Sequence, residues 1–270
     1  MGFRDETWVE AGPGLRALRR GTRPIRHIQI FGQRCSGTNA LARLLEGNFG
    51  TGVPTRAYGF KHWFVPEQTL FHEEVLVLVV ARNVFDWLRS LHRQPWHAHP
   101  ELKSLPFAEF IRSPWHSYWD DEFGGIGPDH PLRGLEMPHE RDPITGERFR
   151  HPIAKRTAKL RHWSELGARA HNVALLSHQA LEDDPAGVVE ALARLTGLSP
   201  LGAFQPVWSY KGNNNRAYEP TRYEAIDPAD LAFIGHEVDP EIEARFSLLC
   251  HPTEREAPTP GEGQSWERTG

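Results

Sequence analysis

The residues with the clearest chemical promise lie in Gly32-Gln-Arg-Cys-Ser-Gly37, two glycines separated by four residues. An apolar run, HIQIF (27–31), comes before them. After them comes a helical pattern with Leu41, Leu44 and Leu45 on one face. A strand, a small-residue loop and a helix start in that order can turn backbone N–H groups toward a phosphate. A nucleoside triphosphatase follows its second glycine with Lys and then Ser or Thr, for the β/γ-phosphates and magnesium. Here those places hold Thr38 and Asn39. The loop therefore suits a nucleotide with a short 5′ end and no triphosphate to cleave.

A second constellation follows the run VLVLVVA (75–81). Arg82 stands just outside that strand's carboxyl end, where open α/β sheets present ligand-binding groups. Ser90 is eight residues on, about two helical turns away, and its hydroxyl could reach the same anion. Guanidinium plus hydroxyl is good phosphate chemistry. Taken alone, Arg82 reads equally well as a structural ion-pair partner.

These groups need a scaffold. Three nearly continuous apolar runs, 27–31, 75–81 and NVALLS (172–177), read as strands buried on both faces of a parallel sheet. Each is followed by a polar loop and a helical pattern, which predicts an α/β fold: a central, mainly parallel sheet flanked by helices in three layers. Asp184 and Pro185 start a helix over 187–198 and Gly197 stops it. A long helix is expected over 153–171. Residues 95–150, rich in Trp, His, Pro and Gly, read as an irregular insertion over a substrate pocket, with a short helix near 107–113. The basic run Arg16–Arg26 reads as a solvated arm before the first strand. The expected organisation is one domain over 1–250 and a disordered tail over 251–270.

A formal charge of −4 gives no basic field, so bulk nucleic-acid binding is not expected. Two cysteines, Cys35 and Cys250, make no disulfide framework, so a reducing, cytoplasmic setting is the expectation. The sequence shows no signal-peptide pattern and no apolar stretch of ~18 or more residues, so no membrane partner is expected.

Together the glycine loop and Arg82-Asn83-x-x-Asp86-x-x-x-Ser90 resemble the nucleotide site of sulfotransferases that use 3′-phosphoadenosine 5′-phosphosulfate (PAPS). Gly59-Phe60-Lys61-His62-Trp63, Lys211-Gly212 and LSHQALEDDPAGVVEALARLTGL (176–198) fit the same likeness. The resemblance implies a P-loop-like fold. It places Arg34, Cys35, Ser36, Gly37, Thr38 and Asn39 at the 5′-phosphosulfate, and Arg82, Ser90, Lys211 and Gly212 at the 3′-phosphate. Lys61 and His62 become the catalytic residues. It also implies PAPS as co-substrate, the bisphosphate PAP as product, a small alcohol or phenol as acceptor, and no metal. The sequence departs from the family at Cys35, where a Lys or Arg is usual, and at His178, where a Tyr is frequent.

Sulfuryl transfer needs cations or N–H donors at the leaving phosphate and a base at the acceptor. Neutral imidazole suits His62 to the base, and an ammonium suits Lys61 to the bridge oxygen. In an ordinary strand the two would point to opposite faces, so sharing a site requires the chain to bend after Gly59. The plain alternative for His62 is a buried, hydrogen-bonded histidine. Two rival functions share the glycine spacing: a kinase-like phosphotransferase and a nucleotide-binding protein without catalysis.

Other groups carry weaker signals. His92, His97 and His99 lack acidic or cysteine partners at metal-ligand spacing and read as pocket or surface histidines. Cys35 reads as an unreactive loop residue. Trp96, Trp115, Trp119 and Trp163 divide between core and acceptor pocket. Asp120, Asp121 and Glu122 read as solvated, with one of them an alternative base.

Overall fold

A computed structural model describes residues 7–123, 125–209 and 223–248. The three apolar runs are strands: β3 (His27–Gly32), β5 (Val75–Ala81) and β6 (Asn172–Ser177). Three more join them, β1 (Val9–Gly12), β2 (Leu15–Arg19) and the two-residue β4 (Pro54–Thr55). The sheet order is β1-β2-β6-β5-β3-β4. The four strands from β6 to β4 run parallel, whereas β2 lies antiparallel to β6 and β1 antiparallel to β2.

The basic run is thus not a solvated arm throughout. Residues 16–19 belong to β2, where Ala17 and Leu18 are buried and Arg19 is exposed. β1 and β2 join at Pro13-Gly14, and Gly14 takes the left-handed φ of +62° that such a tight turn favours.

Helices cover both faces. Helices α1 (Thr38–Phe49) and α7 (Pro185–Thr196) pack Leu41, Leu44, Val188 and Leu192 on Ile28, Ile30, Leu76 and Leu78. On the other face, α5 (Pro152–Ser164) and α9 (Pro240–Arg245) bring Leu160, Trp163 and Ile242 against Val77, Val79 and Val173. Odd and even residues of β5 therefore serve opposite cores, and every residue from Val75 to Ala81 is buried. This is an α/β fold with a mostly parallel six-stranded sheet between helices.

The capping signals of α7 hold. Asp184 accepts from the Gly187 N–H, and Gly197 ends the helix at φ +77°. Helix α5 is shorter than expected; it ends at Ser164 and is followed by a 3-10 turn, Leu166–Ala168. A third core joins α2 (Val84–Arg93) to α3 (Pro100–Lys103), α4 (Phe107–Phe110) and α8 (Pro228–Glu237) through Trp87, Leu102, Phe110, Trp115 and Ile234. The remaining helix, α6 (His178–Asp183), follows β6 directly. Among the described residues no helix is long and apolar enough to cross a membrane. Lys211, Gly212, Cys250 and the segment 251–270 lie outside the described residues.

Candidate anion site at the carboxyl end of the sheet

The glycine loop sits between β3 and α1, at the carboxyl end of the parallel strands. Two residues in it take left-handed backbone, Cys35 (φ +64°) and Gly37 (φ +81°). Gly37 is required: a Cβ there would stand 2.5 Å from the His178 ring at the start of α6. Gly32 is required for close approach, since a Cβ would lie 2.6 Å from the Val80 carbonyl oxygen. No side chain caps α1 and no acidic residue occupies its first turn. Its first N–H groups and the positive end of its dipole are thus not capped by any side chain.

The loop is anchored from below. Trp87 Nε1 donates to the Arg34 carbonyl at 2.8 Å, and Gln33 Nε2 to the Arg156 carbonyl at 3.3 Å. Ser36 and Thr38 are buried and Asn39 is exposed.

Arg34 is 5% exposed and turns inward, its Nη1 2.9 Å from the Glu140 carboxylate. Lys155 and Lys159 of α5 approach the same carboxylate at 2.9 and 3.0 Å. Three cations around one buried carboxylate hold Glu140 well below its usual range. Burial and mutual repulsion push both lysines down, Lys159 to about 8. Arg34 Nε and Nη2 are buried and have no hydrogen-bond partner. A buried guanidinium with two unspent donors is costly unless something accepts from them.

Arg82 and Ser90 are brought together, and Cys35 is where they meet. Arg82 Nη1 lies 3.4 Å from the Cys35 carbonyl, while Ser90 hydrogen-bonds the Cys35 side chain. Burial raises the Cys35 thiol despite that bond and the nearby arginines. A thiol raised in this way holds less thiolate at neutral pH. Arg82 also lines a cleft of about 330 Å³ with Asn83, Ser177, His178 and Glu182, between the ends of β5 and β6.

Lys61 and His62 meet the geometric condition set by the sequence. Gly59 is left-handed (φ +106°), and a turn follows in which the Trp63 N–H reaches the Phe60 carbonyl at 3.0 Å. Lys61 Nζ then lies 2.5 Å from Asn39 Oδ1, which puts an ammonium group at the start of α1 from a separate segment. His62 Nδ1 is 2.7 Å from the Gly32 carbonyl oxygen. A carbonyl can only accept, so Nδ1 carries the proton and Nε2 the lone pair. Burial, Arg34 and Lys61 together hold His62 well below its ordinary pKa, so it is neutral at pH 7.

The insertion lies over this corner. Trp63 stacks on His139 at 3.9 Å and packs with Trp119 and Phe123, while Phe123 also meets Phe60 and His97. Of the four tryptophans weighed in the sequence, Trp115 and Trp163 are core, Trp119 joins this aromatic cluster, and Trp96 is half-buried. Asp120 is not a merely solvated acid: it pairs with His97 Nδ1 at 2.6 Å. Asp121 is exposed beside Arg133.

Spacing alone did not reveal two clusters the fold assembles, His97–Asp120–Glu122 and His99–Glu101–His116. Their members come from segments about 20 residues apart with no periodic link. His92 instead bonds the Leu105 carbonyl.

The chain matches no known family model, and no curated protein or solved structure proved similar to it.

Proposed function

We propose that this protein transfers a sulfuryl group from PAPS to the hydroxyl of a small-molecule acceptor, on a P-loop-like site. The observation that carries the reading is Arg34. It stands in a glycine loop at an uncapped helix N-terminus, with Nη1 on Glu140 and two buried donors unspent. An anionic 5′-phosphosulfate would satisfy those donors and relieve the crowding of Lys155 and Lys159.

Each residue then has a role. N–H groups of the loop and the first turn of α1 hold the phosphosulfate, and Arg34 contacts its oxygens. Lys61, already at the first turn of α1, neutralises charge on the bridge oxygen as the S–O bond breaks. Arg82 and Ser90 take the 3′-phosphate, joined in this reading by Lys211 and Gly212, with the cleft along Ser177 and His178 receiving the nucleoside. The acceptor approaches from the aromatic side formed by Phe60, Trp63, Trp119 and Phe123. A base at the acceptor completes the reaction.

The phosphotransferase alternative lacks a lysine after Gly37, since Thr38 is buried there, and no hydroxyl follows it. Incubation with PAPS and a library of alcohols and phenols, read by mass spectrometry, tests the proposal. An added SO3 on an acceptor supports it. Magnesium-dependent turnover of ATP with no SO3 transfer would replace it with phosphoryl transfer, and PAP binding with no turnover of any kind would leave a nucleotide-binding protein.

A further inference from the structure

His62 has the right tautomer for a base but a poor place to keep a proton. It is buried, and the cations Arg34 and Lys61 both act against its protonated form. An imidazolium there would have only the weaker help of the Gly32 carbonyl and Glu140. A second imidazole is also held down by burial and by Arg34, but unlike His62 it has carboxylates beside it.

His97 is buried at 7% exposure and holds a left-handed φ of +60°, uncommon for any residue but glycine. That conformation is held from several sides. Its N–H donates to Glu122 at 3.2 Å, its carbonyl accepts from the Tyr118 N–H at 2.8 Å, and its ring packs on Phe123. Backbone strain of this kind persists where surrounding contacts over-determine it, and it concentrates at functional sites.

Nδ1 faces the Asp120 carboxylate at 2.6 Å, so Nδ1 carries the proton and Nε2 keeps its lone pair. The charged groups around the ring are Asp120, Glu122, Lys103 (on both carboxylates, at 3.5 and 3.3 Å) and Arg34. Two carboxylates against Lys103 leave charge to balance an imidazolium. Arg34 acts on His97 electrostatically, and Gln94, three residues earlier, meets the loop at Cys35 Sγ, 3.7 Å away. Phe123 packs on both the His97 ring and Phe60, and Phe60 packs on His62, so one aromatic cluster links the His97–Asp120 pair to the segment that supports the loop.

Resting on the sulfuryl-transfer reading, we propose that His97, oriented by Asp120, takes the acceptor's proton, and that His62 positions the loop. The acceptor oxygen bonds to sulfur as its proton passes to His97 Nε2. The bond from sulfur to the bridge oxygen breaks, and its electron pair stays on the 5′-phosphate of PAP. The imidazolium then returns its proton to solvent. Asp120 keeps the tautomer and shares the transient charge.

The test uses two probes, PAPS with water as acceptor and PAPS with 2-naphthol, and measures PAP release from the full-length protein. His97→Asn suits the left-handed backbone and tests the base without forcing refolding. Asp120→Asn tests the orienting carboxylate. Each should lower PAP release by ~10²–10⁴-fold, with PAP affinity by calorimetry within about two-fold of wild type. Added imidazole should restore part of the His97→Asn rate, more so as pH rises through its own pKa; a structural role gives no such rescue. A folded His97→Asn protein with near-normal turnover overturns the proposal, as does a loss of PAP affinity that matches the loss of rate. If the wild type binds PAP yet releases none from PAPS with either probe, sulfuryl transfer itself fails and the role of His97 falls with it.

Discussion

Gly32 is held at both its N–H and its carbonyl by Lys61 and His62, about thirty residues on. The Gly32 N–H donates to the Lys61 carbonyl at 3.0 Å, and His62 Nδ1 donates to the Gly32 carbonyl at 2.7 Å. Lys159 Nζ adds a contact to the His62 carbonyl at 2.5 Å. The end of β3, the turn at 60–63 and α5 therefore form one rigid support for the loop. Leaving the Gly32 carbonyl buried and unpaired costs ~1–3 kcal/mol. His62→Ala should weaken PAP binding about ten-fold, whereas His62→Asn, whose amide can still donate to Gly32, should retain most of it. Calorimetry on the two variants separates loop support from proton transfer; equal loss in both would remove the hydrogen bond from consideration.

Arg82 sets the nucleotide preference. Charge-assisted hydrogen bonds to a phosphate contribute ~1.5–3 kcal/mol each. PAP should bind at least ten-fold more tightly than AMP in the wild type, and Arg82→Ala should erase most of that difference. Equal affinities for PAP and AMP in the wild type would break the 3′-phosphate assignment.

Gly37→Val meets two obstacles. The left-handed φ of +81° is strained for any side chain, at roughly 1–2 kcal/mol, and the Cβ would press on the His178 ring. Nucleotide binding should be lost and the thermal midpoint should fall by several degrees. Gly37→Ala should show the same pattern less severely. Thermal unfolding and PAP titration on the same samples check both halves, and unchanged binding would remove the loop from the site.

Glu140 has three cations to itself. Removing the charge with Glu140→Gln leaves them buried and mutually repelling. Breaking a buried ionic cluster from one side typically costs ~3–5 kcal/mol. Urea unfolding should show a loss of that order, partly recovered by adding PAP, because a bound anion compensates the same cations. A gain from PAP larger in the variant than in the wild type is the part a purely structural cluster would not show, because any ligand of the folded state stabilises it to some degree.

His162 sets an acid limit on stability. Its Nε2 accepts the Val65 N–H at 2.9 Å, so the ring must be neutral at that nitrogen, and burial with Arg169 and Lys159 nearby lowers its pKa to about 4. The unfolded chain binds that proton near pH 6.5. Between about 6.5 and 4 the unfolded state holds more protons, so stability is present above that window and is lost as pH falls through it. The urea midpoint should drop between pH 7 and pH 4.5, and His162→Gln should flatten the drop. An equally steep profile in the variant would assign the acid sensitivity to other groups.

The sequence by itself determined the three central strands, because residues buried on both faces must all be apolar and so leave a continuous signal. It also determined the ends of α7, where Asp184, Pro185 and Gly197 act through local backbone geometry. The glycine loop was legible as a local spacing of two glycines between a strand and a helix, although the close approach of the Val80 carbonyl to Gly32 and of the His178 ring to Gly37 comes from distant segments. β2 was missed because two of its four residues from 16 to 19 are arginines, and the antiparallel pairing to β6 that buries Ala17 and Leu18 comes from 160 residues away. Only the tertiary structure decided that Arg34 turns to Glu140, that Arg82 and Ser90 converge on Cys35, and that His97 finds Asp120. Each of these depends on which distant segments share a dielectric environment and a few ångströms of space. Short-range spacing does not encode that, because the insertion carrying Glu140, His97 and Asp120 has no periodicity of its own and packs instead on distant segments such as α2, α8 and Trp63.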